Sequence, residues 1–392
     1  MWIKRIFTNL PLINDLLKHK LISGKMLLLL VMLLLGGLTI LGCARVGAQA
    51  KGWSGGTIDD NTLFLGSMEG KLVAVDISSH NRLFPDVLLE TSKPAAGGFG
   101  CAAPSTSVAI YGNPAVAGDL VYVGGYNGTI YALNSSSGAL RWVYPRQGNL
   151  QPIVGAPVVA SDKVYFGCSD GKLYALDAAT GDKKWEFPTG NKIWSTPAID
   201  ANTLYIGSFD NKLYALNIAD GSKKWEFQSE GAIVSTPLVY NNTVYIASYG
   251  RYLYAVNPID GSLRWEFLAE RGFWAKPVAY NNVIYAPSLD GKVYVIDTES
   301  GKEKVAPIDL ESPISSSPVL VDSLVIVASD EGKIYAVDTS NNQKRELKNL
   351  EEKIIAPLCA SNGVVYIHTQ EHETLYALNT QTGMVLWSLP IK

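Results

Sequence analysis

Four large rings, Trp53, Tyr111, Trp194 and Trp274, stand at one repeated place in this chain, three residues ahead of a recurring proline or, at the first, of Gly56. Flat apolar rings set at one register are suited to stacking a planar ligand or gripping an apolar side chain. Arg271 and Lys276 flank Trp274 and are the cations best placed to meet an acidic group beside it. The competing reading is that the rings simply plug a channel. Val154, Val234, Ser315 and Ile354 hold the same register in the other repeats. Arg146, Lys192, Glu230, Glu270, Glu311, Glu351, Glu352 and Lys353 fall on the same loops and read as solvated charges.

Catalytic groupings are sparse. Of the four histidines, His19 lies near the N-terminus, His80 in a turn, and His368 and His372 flank Thr-Gln-Glu beside Glu371 and Glu373. An H-x-x-x-H spacing off a helix reads as a polar turn before it reads as a metal site, so no metal ligand set is expected. No Gly-rich loop opens a helix after a strand, and no nucleophile elbow occurs. The expectation is that the chain is not an enzyme.

These residues must be positioned by a repeat. The segments LVAVD at Leu72, IYALN at Ile130, LYALD at Leu173, LYALN at Leu213, LYAVN at Leu253, VYVID at Val293, IYAVD at Ile334 and LYALN at Leu375 make eight copies. From Tyr131 onward their steps are 43, 40, 40, 40, 41 and 41 residues, the period of propeller blades. Within the unit at Pro197, four short runs of β-formers (STPAID, TLYIGS, KLYALN, KKWEF) are separated by Asn, Asp and Gly breakers. Four antiparallel strands per unit predict an all-β, eight-bladed β-propeller over residues 53–392. The marker proline recurs at Pro114, Pro157, Pro197, Pro237, Pro277, Pro318 and Pro357, and no strand need be shared between the ends of the ring.

Eleven residues after each tyrosine comes Trp142, Trp185, Trp225, Trp265 or Trp387, with Phe84, Val305 and Glu346 in the remaining units. In the stretch from Ala175 through Asp177 and Gly181 to Trp185, a small residue allows close packing and Asp caps the turn. Gly permits positive φ, and the indole brings apolar surface to the blade edge. This A-x-[DN]-x-x-x-G-x-x-x-W pattern resembles the tryptophan-docking motif of the pyrroloquinoline quinone (PQQ) repeat family. The resemblance implies a quinoprotein-like ring with those five tryptophans as structural docking residues. That family holds PQQ-dependent dehydrogenases and also BamB-like lipoproteins, which are scaffolds rather than enzymes, and fold does not choose between them. The enzymes often carry a vicinal cysteine pair over the quinone and acidic calcium ligands. This chain has neither, which points away from PQQ and calcium as cofactors.

Lys4, Arg5, Lys18, Lys20 and Lys25 precede an apolar run from Met26 to Leu41, the charge order of a secretory leader over residues 1–42. Ile40-Leu41-Gly42-Cys43 resembles a lipobox with Cys43 as the lipidated residue, while Ala48-Gln49-Ala50 offers an ordinary cleavage site. Residues 43–52 then read as a linker. Either route, or a leader kept uncleaved as an anchor, places the ring outside the cytoplasm. The leader's five Lys or Arg and one Asp carry +4, so the −3 of the chain becomes −7 for the remainder, which argues against a nucleic-acid partner. Cys101, Cys168 and Cys359 lack zinc spacing, and a Cys101–Cys168 disulfide competes with buried free thiols. An insertion near 88–107, PAAGGFGCAAPSTS at its heart, is too apolar for a plain spacer and is placed to cap the funnel or meet a partner. The resulting expectation is a membrane-anchored, non-catalytic scaffold for envelope or secreted proteins. A PQQ-dependent dehydrogenase and a small-ligand or glycan sensor are the alternatives.

Overall fold

A computed structural model describes residues 51–89 and 108–391. Their regular structure is entirely β: eight four-stranded antiparallel sheets, each built from four consecutive strands. Blade four shows the unit, with strands Ala198–Asp200, Thr203–Gly207, Lys212–Asn217 and Lys223–Gln228 running from the inside out. Tight turns join the strands. Asn241-Asn242 and Asn281-Asn282 take positive φ at both positions, the twist a two-residue hairpin needs. The leader, Cys43, Cys101 and residues 90–107 of the insertion lie outside the described residues. No helix among the described residues is long and apolar enough to cross a membrane.

The repeated tetrapeptide forms the third strand, and its alanine has a specific task. A bulge between Ala215 and Leu216 brings Trp225 of the outer strand directly opposite Ala215, and the same shift pairs Ala175 with Trp185 and Ala255 with Trp265. Alanine leaves room for the indole, which then reaches the next blade. Trp185 lies against Gly221, where a Cβ would stand 2.6 Å from the indole Cε3, and Gly221 itself has φ of +76°. Indole Nε1 donates to a carbonyl of the neighbouring blade: Trp142 to Ala178 (3.0 Å), Trp185 to Ile218 (3.3 Å), Trp225 to Pro258 (3.0 Å) and Trp265 to Thr298 (2.9 Å). In blade one, Phe84 stands in for tryptophan, packing against Gly138.

A second set of rings shares this work. Tyr122, Tyr165 and Tyr245, on second strands, are buried and donate their hydroxyls to the carbonyls of Ala178, Ile218 and Thr298, which also receive the tryptophans. Each of those carbonyls thus uses both lone pairs, which rigidifies the blade junction. The core is accordingly shared between blades rather than held within them. Tyr205, Leu213, Ala215 and Trp225 of blade four cluster with Val244, Ile246, Tyr254 and Val256 of blade five.

Blades one and eight close the ring in the same way but with different residues. Leu63, Leu65, Val73 and Val75 share a cluster with Tyr366, Leu375 and Ala377, and no strand is exchanged. At the other junctions a knob in the entering loop, such as Ile193 or Ile233, sits over Gly167 or Gly207. There a Cβ would come within 2.1 or 2.2 Å of the isoleucine. At the seam the sizes reverse. By register the two positions are held there by Gly52 and His368, and the His368 Nδ1 lies 2.8 Å from the carbonyl of Ser54. Trp387 likewise meets His80, at φ of +60°, where six other blades have glycine and blade seven has Asn342, with ring centroids 5.0 Å apart.

Candidate functional site

The loops entering each blade converge on one mouth of the ring and enclose a funnel of about 370 Å³. In an extended loop successive side chains alternate. Ile193, Ser195, Phe273 and Ala275 therefore bury, while Trp194, Thr196, Trp274 and Lys276 face the funnel. Trp53, Tyr111, Val154, Val234 and Ser315 line it as well. The four rings singled out in the sequence share one cavity.

Ile354 does not line it. It is fully buried, clustering with Ile326, Leu358 and Ile367, and Ile355 takes the lining place. The cause is a slipped landmark: the inner strand of blade eight begins at Cys359, so Leu358, and not Pro357, occupies the position held by Pro318 before the strand beginning at Val319. Counting back from Pro357 therefore lands one residue early.

The rings are fixed by their neighbours. Trp53 meets Tyr111 edge-on at 4.2 Å, and Tyr111 meets Tyr126 at 5.1 Å. Trp194 donates Nε1 to Ser169 Oγ (3.0 Å), packs edge-on against Phe209, and carries the Lys192 ammonium 4.0 Å from its centroid. Lys192 is thus a stacking partner rather than a free loop charge. Backbone positions around the axis are tied blade to blade, Gly55 N to Asn113 Oδ1, Ala156 N to Thr196 Oγ1 and Lys276 N to Ser317 Oγ, each between 2.9 and 3.0 Å. Preorganisation of this kind lowers the ordering cost of binding.

The loop charges separate into distinct environments. Among the described residues Lys276 is the one charged residue lining the funnel, and burial pushes its amine below the usual lysine range. Arg271 stays exposed and outside the lining. Arg146 pairs with Asp182 at 2.7 Å. Glu352 is buried and accepts from the His372 amide (3.2 Å) and the Tyr376 hydroxyl (3.1 Å), so it is structural and not solvated as its loop position suggested. Glu230, Glu270, Glu311, Glu351 and Lys353 are exposed.

His368 and His372 do not form a pair. His368 is buried at the seam, while the His372 side chain is 76% exposed beside Glu352. Among the described residues no group of three His, Cys, Asp or Glu is gathered to hold a metal. Among the described residues the funnel lining contains no carboxylate, so a calcium ion, which prefers several oxygen ligands including carboxylates, is poorly served by them, and a quinone held with calcium does not fit this donor set. Cys168 and Cys359 are free thiols. Cys168 donates to the Gln151 carbonyl at 3.2 Å, and burial pushes both thiols up to about 12.

The funnel mouth also carries exposed rings on the hairpins beside it, Tyr126 at 38% and Tyr249 at 55%. The second-strand tyrosines were the feature missed in the sequence, although Tyr122, Tyr165, Tyr205, Tyr245 and Tyr285 recur there with the blade period.

Eight four-stranded blades with a tryptophan on the outer strand of most define a quinoprotein-like β-propeller. The family model described as outer membrane protein assembly factor BamB matches residues 43–193 and 187–389, and the chain belongs to that PQQ-repeat family. The crystal structure of BamB from Moraxella catarrhalis superposes with a TM-score of 0.65 at 20% identity, covering 85% of this chain and 92% of that one. The computationally designed Ika8 protein gives a TM-score of 0.68 at 16% identity, covering 84% and 96%. At these identities the likeness shows the fold alone. No curated protein matches.

Proposed function

We propose that this protein is an extracytoplasmic, non-catalytic scaffold that binds protein partners in outer-membrane protein assembly, tethered by a lipid on Cys43. The observation that carries the reading is the ring-rich loop face, where Tyr126 and Tyr249 stay exposed around a funnel edged by Trp53, Tyr111, Trp194 and Trp274. Aromatic and arginine side chains on a rigid, preorganised surface are the usual anchors of protein interfaces, and Arg271 lies exposed on the same face. The family match supplies the envelope context. A dehydrogenase reading has no comparable support, since the described residues of the funnel offer no acidic ligand for calcium.

The opposite face provides an internal control. Ile259, 78% exposed, sits in a turn between third and outer strands, away from the funnel mouth. A photo-crosslinking residue at Tyr249 in cells should capture a component of outer-membrane assembly, while one at Ile259 should not. Equal capture from both faces, or none from Tyr249, would remove the loop face as the interface. Retention of a Cys43→Ser variant in the membrane fraction would remove the lipid tether.

A further inference from the structure

We propose that the funnel is a binding site for a small planar aromatic acid with a single carboxylate, its ring on Trp274 and its carboxylate on the Lys276 ammonium. The inference stands apart from the scaffold reading, because a cavity about 370 Å³ in volume takes a small molecule whatever the rim contacts. Among the described residues Lys276 is the one charged side chain in the lining. No carboxylate or hydrogen bond from the described residues compensates the burial of its amine, which is why its pKa falls. An ammonium held this way gains most from an anion brought into the same low-dielectric space.

The surroundings specify more than charge. Trp274 and Lys276 lie two residues apart on one extended segment, roughly 7 Å along the chain, the reach of an aryl acid from ring to carboxylate. Ser317 accepts the Lys276 amide hydrogen at 3.0 Å, which leaves its own proton to donate toward the ligand, and Thr236 lines the funnel on the other side. Tyr111 and Trp53 close the far wall with further ring surface. Cationic ligands are disfavoured by the ammonium. A ligand with several carboxylates would find one cation for all of them.

The test compares 2-naphthoate with its uncharged isostere 2-naphthamide on the purified full chain by isothermal titration calorimetry. Saturable one-to-one binding of naphthoate is expected, with naphthamide weaker by roughly 10- to 100-fold, as for loss of a charge-assisted hydrogen bond. Lys276→Gln should bring naphthoate down to the amide's affinity, and Trp274→Leu should weaken both ligands. Equal affinity for acid and amide, no saturable heat from either, or a preference for the acid that survives Lys276→Gln would overturn the assignment. Should Lys276→Gln fail to fold, Lys276→Met replaces it, and the acid-against-amide comparison on the unaltered protein decides independently.

Discussion

Replacing His368 tests whether the ring is held shut by an inverted knob and socket. His368 is 4% exposed, its Nδ1 lies 2.8 Å from the Ser54 carbonyl, and its Nε2 is buried with no partner. A carbonyl can only accept, so Nδ1 carries a hydrogen, and Nε2, buried with no acceptor facing it, favours the neutral ring. Burial pushes its pKa below the ordinary histidine value. Protonation would bury a second N–H facing nothing that accepts it. The unfolded chain therefore binds this proton more readily than the folded one, and the contribution is fully present above about pH 6.5 and declines as pH falls toward the folded pKa. The limiting slope from one such group is about 1.4 kcal/mol per pH unit. His368→Ala should cost about 3 to 5 kcal/mol, from the cavity left by a buried side chain and from the Ser54 carbonyl left without its donor. His368→Gln can still donate to that carbonyl without titrating, and should cost less while flattening the slope. Urea midpoints measured from pH 7.5 to 5 on the three proteins decide it. If His368→Gln loses stability toward acid as steeply as the unaltered protein, the buried neutral imidazole is not the cause, and the account of the seam fails.

Two further perturbations probe the junctions and the thiols. Trp225 is 8% exposed whereas Trp185 is half-buried. Trp225→Ala should therefore cost about 3 to 5 kcal/mol, at the full large-to-small figure, and Trp185→Ala measurably less. Urea denaturation of both checks this, and equal costs would show that burial does not set the docking energy. Cys168 and Cys359, with thiols pushed up to about 12, should resist a thiol reagent at pH 8 in the folded protein and react fully in denaturant, read by absorbance in a Cys43→Ser/Cys101→Ser background. Prompt reaction in the folded state would show that the strands open at these sites.

Much of the molecule was legible because its grammar is local. Hairpin signals, the Tyr-Ala-Leu-Asp period and the tryptophan spacing each act within a few residues, and a fixed period can only stack units against their copies. The alternation that sends Trp274 and Lys276 into the funnel and Ala275 into the core follows from an extended backbone. Blade eight escaped because a proline is a landmark by identity, whereas position in the inner strand is set by pairing. Cys359 pairs with Tyr366 as Val319 does with Ile326, and that register places Ile355, not Ile354, in the funnel.

By itself the sequence determined the blade count, the strand order within each blade and the shared register of Trp53, Tyr111, Trp194 and Trp274, since all of these rest on period and local turn chemistry. Only the tertiary structure decided which charges are spent and which are left. Lys192 is taken up by Trp194, Glu352 by Tyr376 and His372, and among the described residues Lys276 is left without a charged partner inside the funnel. It alone revealed that one carbonyl serves both a tyrosine and a tryptophan at several junctions, and that a buried His368 meets the Ser54 carbonyl at the seam. Those pairings join residues from different blades, 314 positions apart in the case of His368 and Ser54, and nothing in a local pattern encodes a contact across a ring that exists only once it has closed.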